Sequence, residues 1–347
     1  MKAAQVDLRS DTVTKPTPKM REIMAAAPVG DDVFGEDPSV NALQEKAADL
    51  LGHERSLFVP SGTMANQIAI KVLTQLGDEV LLESGSHPFN FESGAAAIIS
   101  SVQLHTLTGK RGLMAPEQIE AAIRPDDIHC APTRVICLEN THNRGGGSVY
   151  PVERVAAIRD VAKAHGLTMH LDGARLFNAC VATGLKPVDY ARYFETVSFC
   201  LSKGLGAPVG SLLCGNKDLI KEALRWRKVL GGGMRQAGIL AAAGIYALDY
   251  HVERLSEDHD NAEFLAQGLA ALEGIEIDPS EVETNILIFT VTHPRLSAPD
   301  LAKRLMSAGV LVLPVGPDQI RAVTHLDVSR ADVERALEVI EGTLKKS

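Results

Sequence analysis

The 347-residue sequence is short of what would tie it to a membrane, a disulfide framework or a nucleic acid. It has only five cysteines, Cys130, Cys137, Cys180, Cys200 and Cys214, with no Cys-x-x-Cys pair among them. Most lie in apolar runs, which predicts buried thiols in a reducing compartment rather than disulfides or a cysteine metal site; no metal is expected. No apolar run approaches the roughly 20 residues a bilayer span needs. The longest, Ala237 to Leu248, contains Gly238 and Gly244. The opening MKAAQVDLRS lacks the apolar segment of a secretory signal, so a cytoplasmic protein is expected. Positive charge is also in deficit, with 35 Lys and Arg against 44 Asp and Glu and a net charge of −9. That balance gives no electrostatic reason to bind nucleic acid or anionic lipid, but it permits a local basic pocket for a small anion.

What is present is an ordinary globular composition, 45% apolar and 23% charged, long enough for about two domains. Short β-rich runs (56–60, 79–83, 134–139, 168–171, 196–201 and 210–214) alternate with helix-period segments at 64–76, 152–165 and 219–228. Nearly all-apolar strands alternating with helices predict an α/β domain with a mostly parallel sheet covered on both faces. After residue 250 the rhythm changes: a helix over 261–272, a strand over 286–291, a helix over 299–308, a β pair within 310–324 and a last helix. Ser297 with Asp300 and Ser329 with Asp332 form capping-box signals, and Gly309 is a stop. The expectation is a large domain over 1–250, including an N-terminal arm, and a smaller α+β domain over 251–347.

Three strand ends carry chemistry. Ser61-Gly62-Thr63 lies where a strand passes into a helix, so its free N–H groups and hydroxyls suit a phosphate; it also reads as a plain N-cap and turn. Asp172, in HLDGAR, ends a strand at the edge where open α/β sheets bind ligands, although a surface pair with Arg175 would explain it too. Lys203 follows another apolar strand in SFCLSKGLG. A phosphate cradle, a strand-end acid and a later strand-end lysine together match the needs of pyridoxal 5'-phosphate: the lysine forms a Schiff base and the acid keeps the pyridine nitrogen protonated.

The motifs LRSDTVTKPT, GDDVFGEDP, ENTHN, HLDGARLFNA, SKGLGAPVGS, GGGMRQAGILAAAGIYAL and IRAVTHLDVS run from Leu8 to beyond Ser329. They resemble the L-threonine aldolase family of fold-type I (aspartate-aminotransferase-like) pyridoxal-phosphate enzymes. The resemblance implies that Lys203 is the cofactor lysine, Asp172 the pyridine partner, and Gly62 and Thr63 part of the phosphate site. His87, in SGSHPFNF, matches an imidazole that stacks on the cofactor and is a candidate base; Phe91 in the same run is placed at the substrate. Arg321 matches the binder of a substrate carboxylate, which a planar two-pronged donor suits. Arg175 and Ser10 match residues around the carboxylate and cofactor. Lys228 and Arg235, flanking Gly231–Gly233, match a segment that reaches a neighbouring subunit's cofactor phosphate, so a homo-oligomer, a dimer of dimers, is implied.

His142 follows the strand over 134–139 and is read as a second candidate base; the choice between His87, His142 and a held water stays open. His325 reads as a hydrogen-bonding residue between domains. Phe34 stands where many relatives carry Tyr. The implied activity is cleavage of a β-hydroxy-α-amino acid, L-threonine or L-allo-threonine, to glycine and an aldehyde. β-Elimination, transamination and a silent cofactor-binding protein are the alternatives.

Overall fold

The computed structural model describes residues 5–346. A two-residue strand, β1 (Val6–Asp7), opens it. The main sheet contains β2 (Arg55–Val59), β3 (Glu79–Glu83), β4 (Gln103–Leu107), β5 (Thr133–Glu139), β6 (Thr168–Asp172), β7 (Thr196–Cys200) and β8 (Ser211–Gly215), in the order β2-β8-β7-β6-β5-β3-β4. Only β8 runs antiparallel to its neighbours, β2 and β7; β7, β6, β5, β3 and β4 are mutually parallel. Every residue of β3, β7 and β8 is buried, as expected of apolar strands with both faces covered. The one strand of this sheet not anticipated from sequence is β4. It is a partly exposed edge whose QLHTL sequence offers no continuous apolar run.

The helices between strands follow from their caps and apolar faces. The helix Gly62–Leu73 starts at Ser61, whose hydroxyl accepts from Met64 N, and it buries Ala65, Ile68, Ala69 and Ile70. Helix Gly238–Tyr250 packs within the chain: a Cβ on Gly244 would stand 2.7 Å from Leu201 Cδ1 and 3.0 Å from Leu43 Cδ2. Its other side leaves Ile239 and Tyr250 exposed. Among the described residues no helix is long and apolar enough to cross a membrane.

Further along, β9 (Ile275–Glu276), β10 (Ile286–Val291), β12 (Leu313–Pro314) and β13 (Gln319–Val323) form an antiparallel sheet in the order β12-β13-β10-β9. Helices Leu255–Ala270, Ala298–Ser307 and Arg330–Lys345 cover it, the first starting six residues before its expected Asn261. Both capping boxes form. The remaining strand, β11 (Val310–Leu311), pairs in parallel with β1. Val6 and Leu8 therefore pack into the same apolar cluster as Leu265, Phe289 and Ile340, while Leu255 belongs to the cluster around the main sheet.

Candidate active site

A cavity of about 550 Å³ opens at the carboxyl ends of the parallel strands. Gly62 and Thr63 reach it from the end of β2, His87 and Phe91 from beyond β3, Asp172 from the tip of β6 and Lys203 from beyond β7. Arg321 enters from β13, Ser10 from the N-terminal arm and Arg175 from the turn after β6. Residues spread over the whole chain thus converge at the edge where parallel sheets bind ligands.

At the start of helix Gly62–Leu73, the N–H groups of Gly62 and Thr63 fall before the first intrahelical bond and are left open. A Cβ on Gly62 would come within 2.8 Å of Cys200 Sγ, so a larger residue here would have to displace that side chain. Asp172 is buried, with Oδ1 accepting from Ala174 N at 3.1 Å and Oδ2 from Asn66 Nδ2 at 2.7 Å. It is no surface partner of Arg175. Instead, Arg175 forms a two-pronged pair with Asp11 of the N-terminal arm, Nε to Oδ2 at 2.7 Å and Nη2 to Oδ1 at 2.6 Å. Burial alone would raise the Asp11 carboxyl; the charge and hydrogen bonds of Arg175 hold it well below the usual carboxylate range. Ser10 Oγ caps the turn that presents Asp11 by accepting from Thr12 N.

Lys203 is half-buried and its ammonium makes no hydrogen bond or ion pair among the described residues. Arg321 is only 8% exposed. It donates to Asn143 Oδ1 at 2.6 Å and Arg9 O at 3.1 Å, but its buried Nε has no partner. Burial, and secondarily the nearby Arg175, bring its pKa down to about 10, so it stays charged at neutral pH. A cation that lines the cavity, with no carboxylate partner among the described residues, is equipped to take an anion.

His87 Nδ1 lies 2.8 Å from Glu92 Oε1. Burial acts to lower its pKa, but the Glu92 hydrogen bond and the charges of Asp172 and Glu92 raise it overall. Phe91 lies beside it, ring centroids 5.6 Å apart, at the cavity mouth.

Other expected residues lie elsewhere. His142 does not line the cavity: it is 1% exposed, with Nε2 3.1 Å from Glu83 Oε2 and Nδ1 accepting from Gly145 N. Gly112 makes room for it, since a Cβ there would overlap the imidazole at 2.2 Å. The strand-end argument put His142 at the right edge, but its side chain turns into the packing beneath the glycine turn. Burial acts to lower its pKa but is outweighed by the Glu139 charge and the Glu83 hydrogen bond, which raise it. With both ring nitrogens engaged by Glu83 and Gly145, this imidazole is unsuited to reach a substrate. Lys228 and Arg235 also do not line this chain's cavity; Arg235 pairs with Asp31 at 3.0 Å on the exposed surface. A Cβ on Gly232 would approach Met64 Sδ at 2.4 Å, so the glycine segment lies against the chain's own Gly62–Leu73 helix. His325 is fully buried and bonds Asp7 O at 2.8 Å, fastening the arm.

Sequence reasoning missed Asn66, Glu92, Glu139 and Asp11. Glu139 accepts from His87 N at 2.7 Å and Asn143 N at 2.9 Å, joining the two loops that carry those residues. The available signal was the polar pair Asn66-Gln67 inside an otherwise apolar helix, and a lone acid at Glu92 in a Ser/Gly/Ala run.

A family model described as Beta-eliminating lyase matches residues 7–292. The chain is 46% identical over 328 residues to the low specificity L-threonine aldolase of Escherichia coli (strain K12), covering 94% of this chain and 95% of that protein. It is 44% identical over 341 residues to the probable low-specificity L-threonine aldolase 2 of Arabidopsis thaliana, covering 97% and 96%. Among solved structures, Leishmania major threonine aldolase matches with a TM-score of 0.83 at 22% identity, over 98% of this chain and 99% of that one. Sphingomonas wittichii serine palmitoyltransferase matches with a TM-score of 0.77 at 17% identity, over 99% and 88%. At such identities the structural likeness speaks to the fold, which is the fold-type I architecture expected above.

Proposed function

Because the chain belongs to the beta-eliminating lyase family and, within it, to the L-threonine aldolases, we propose that it cleaves L-threonine and L-allo-threonine to glycine and acetaldehyde. Other β-hydroxy-α-amino acids would be cleaved to glycine and the matching aldehyde. The observation that carries this reading is the convergence of Lys203, Asp172, His87 and Arg321 on one cavity.

The residues fit pyridoxal 5'-phosphate. Gly62 and Thr63 would hold its phosphate, Asp172 would face its pyridine nitrogen and Lys203 would bond its carbonyl carbon. When bound, the cofactor supplies an electron-poor ring that accepts the electrons of the breaking Cα–Cβ bond. The chain's own residues do the rest. Arg321 binds the substrate α-carboxylate and so fixes which bond at Cα stands where it can break. Arg175, neutralised by Asp11, forms the firm wall behind it. His87, or a water it holds, takes the proton of the β-hydroxyl as the bond breaks. Phe91 bounds the space left for the aldehyde portion.

Lys228 and Arg235 lie outside this chain's cavity, and we propose that they complete a neighbouring subunit's site in a dimer of dimers. The proposed division is an arm and large domain to residue 250 and a small domain from 251. Five free cysteines, four of them buried, support a cytoplasmic setting.

The test is incubation with L-threonine and with L-allo-threonine, with and without added cofactor. Glycine and acetaldehyde in equal amounts, dependent on cofactor, are expected. Ammonia with a 2-keto acid instead would replace this reading with β-elimination, and amino-group transfer would replace it with transamination.

A further inference from the structure

Behind the His87 imidazole lies a set of linked, largely buried hydrogen bonds. Glu92 is 2% exposed and receives three donors: Asn66 Nδ2 at 3.0 Å, Gln67 Nε2 at 2.5 Å and His87 Nδ1 at 2.8 Å. The same Asn66 nitrogen gives its other hydrogen to Asp172 Oδ2 at 2.7 Å. Asn66 Oδ1 accepts from Ser198 Oγ at 2.8 Å and lies 3.1 Å from His170 Nε2. Burial brings His170 down to about 4, so its ring is neutral. Nε2 faces the Asn66 oxygen, and Nδ1 lies 2.9 Å from the Thr196 hydroxyl and 3.2 Å from the Thr196 carbonyl oxygen. Turning the Asn66 amide over would set its oxygen against two carboxylates, so the orientation has no competitor. His87, Glu92 and Asp172 also come within 4.8 Å of one another, but Asn66 and His87 already occupy the facing oxygens as donors.

We propose that Glu92 is a positioning residue for His87, and that Asn66 fastens it to Asp172 so that the stacking imidazole and the pyridine partner are held as one unit. A carboxylate with three donors accepts only, so His87 must present Nδ1–H to it. The imidazole is thereby fixed in the tautomer that leaves Nε2 free to take a proton. The proposal rests on the reading of His87 as the group that handles the β-hydroxyl proton. The charged groups around His87 are Glu92, Glu139 of β5 at its backbone N, Asp172 of β6, Lys203 beyond β7, and Arg144, which stacks on Phe91.

The test reads His87 directly, by mass-spectrometric measurement of deuterium exchange at imidazole C2 across pH, in full-length protein with and without cofactor. In the wild type, His87 is expected to titrate above the ordinary histidine value of about 6.5. In Glu92→Gln its midpoint is expected to fall, and the acid limb of kcat/KM to move to lower pH with it, because a base must be neutral to act. kcat is expected to drop roughly tenfold to a hundredfold. Glu92→Asp keeps the charge but shortens the arm, so kcat should fall while most of the raised midpoint survives. An unchanged His87 midpoint in Glu92→Gln overturns the proposal. If that variant does not fold, the wild type decides: His87 titrating at or below the ordinary value overturns it. Absence of aldol cleavage would remove the proposed function and leave the titration readable, since it needs no substrate.

Discussion

The two walls of the cavity are built on opposite plans. On one, Asp172, Asn66, Glu92 and His87 are joined by buried hydrogen bonds, and each carboxylate oxygen that faces the network has a donor. On the other, among the described residues, the Lys203 ammonium makes no hydrogen bond or ion pair and Arg321 buries an Nε that nothing accepts. The first wall is organised before any ligand arrives; the second carries the half-buried Lys203 and the buried Arg321, whose charge an incoming anion would offset. Arg175 lies between the two plans: a cation in the basic region, but already neutralised by Asp11. Stability and binding capacity are therefore held by different residues a few ångströms apart.

That contrast can be broken most severely at Lys203. Lys203→Ala should reduce turnover by at least about a thousandfold, since no other group can take over the covalent step. Borohydride reduction followed by peptide mapping should place the cofactor on Lys203 in the wild type, and a label elsewhere would move the site. Thermal stability of the cofactor-free variant should change little, because the ammonium has no hydrogen-bond or ion-pair partner to lose among the described residues.

Asp11→Asn tests the opposite plan. Removing one member of a buried ion pair leaves Arg175 charged and uncompensated, a loss of about 3 kcal/mol of stability measured by denaturant unfolding. The folded-state pKa of Asp11 is depressed, so its stabilisation is present above the unfolded carboxylate value of about 3.9 and is lost as pH falls below it. The gap between wild type and variant should accordingly narrow in acid. A gap that widens would show that Arg175 has another partner.

Arg321→Lys sharpens the comparison with a smaller effect. KM for threonine should rise roughly tenfold to a hundredfold, since an ammonium cannot reproduce the planar two-pronged donor. Stability should stay level or improve with loss of the unpaired buried Nε. The smallest effect belongs to Phe34→Tyr. Phe34 is 74% exposed, so stability should move by less than about 0.5 kcal/mol. The ratio of rates on L-threonine and L-allo-threonine shows whether the added hydroxyl bears on substrate choice.

Sequence reading anticipated the lining of the cavity wherever a lining residue stands at a strand end. Asp172 and Lys203 could be placed because a parallel sheet dictates where its carboxyl edge lies, and Gly62 because a strand passes there into a helix. The same logic misplaced His142, since position along the chain does not say which way a side chain turns, and Gly112 admits the ring into the interior. Asn66 and Glu92 were hidden for a different reason. Polar residues in helices and loops ordinarily face water, and only pairing across distant segments reveals that these two do not. The arm was hardest to read: β1 has two residues, and its partner β11 lies near the other end of the chain.

That pairing of β1 with β11 has a consequence for how the protein is made. A chain synthesised from its N-terminus has the whole main sheet, including Lys203 and Asp172, before β11 and β13 exist. Until Val310 and Leu311 emerge, Val6 and Asp7 have no strand to join, His325 cannot grip Asp7, and Arg321 is missing from the cavity. A prematurely terminated chain would thus hold Lys203 and Asp172 without Arg321 or the anchored arm, so the proposed carboxylate-binding wall exists only once β13 has been made.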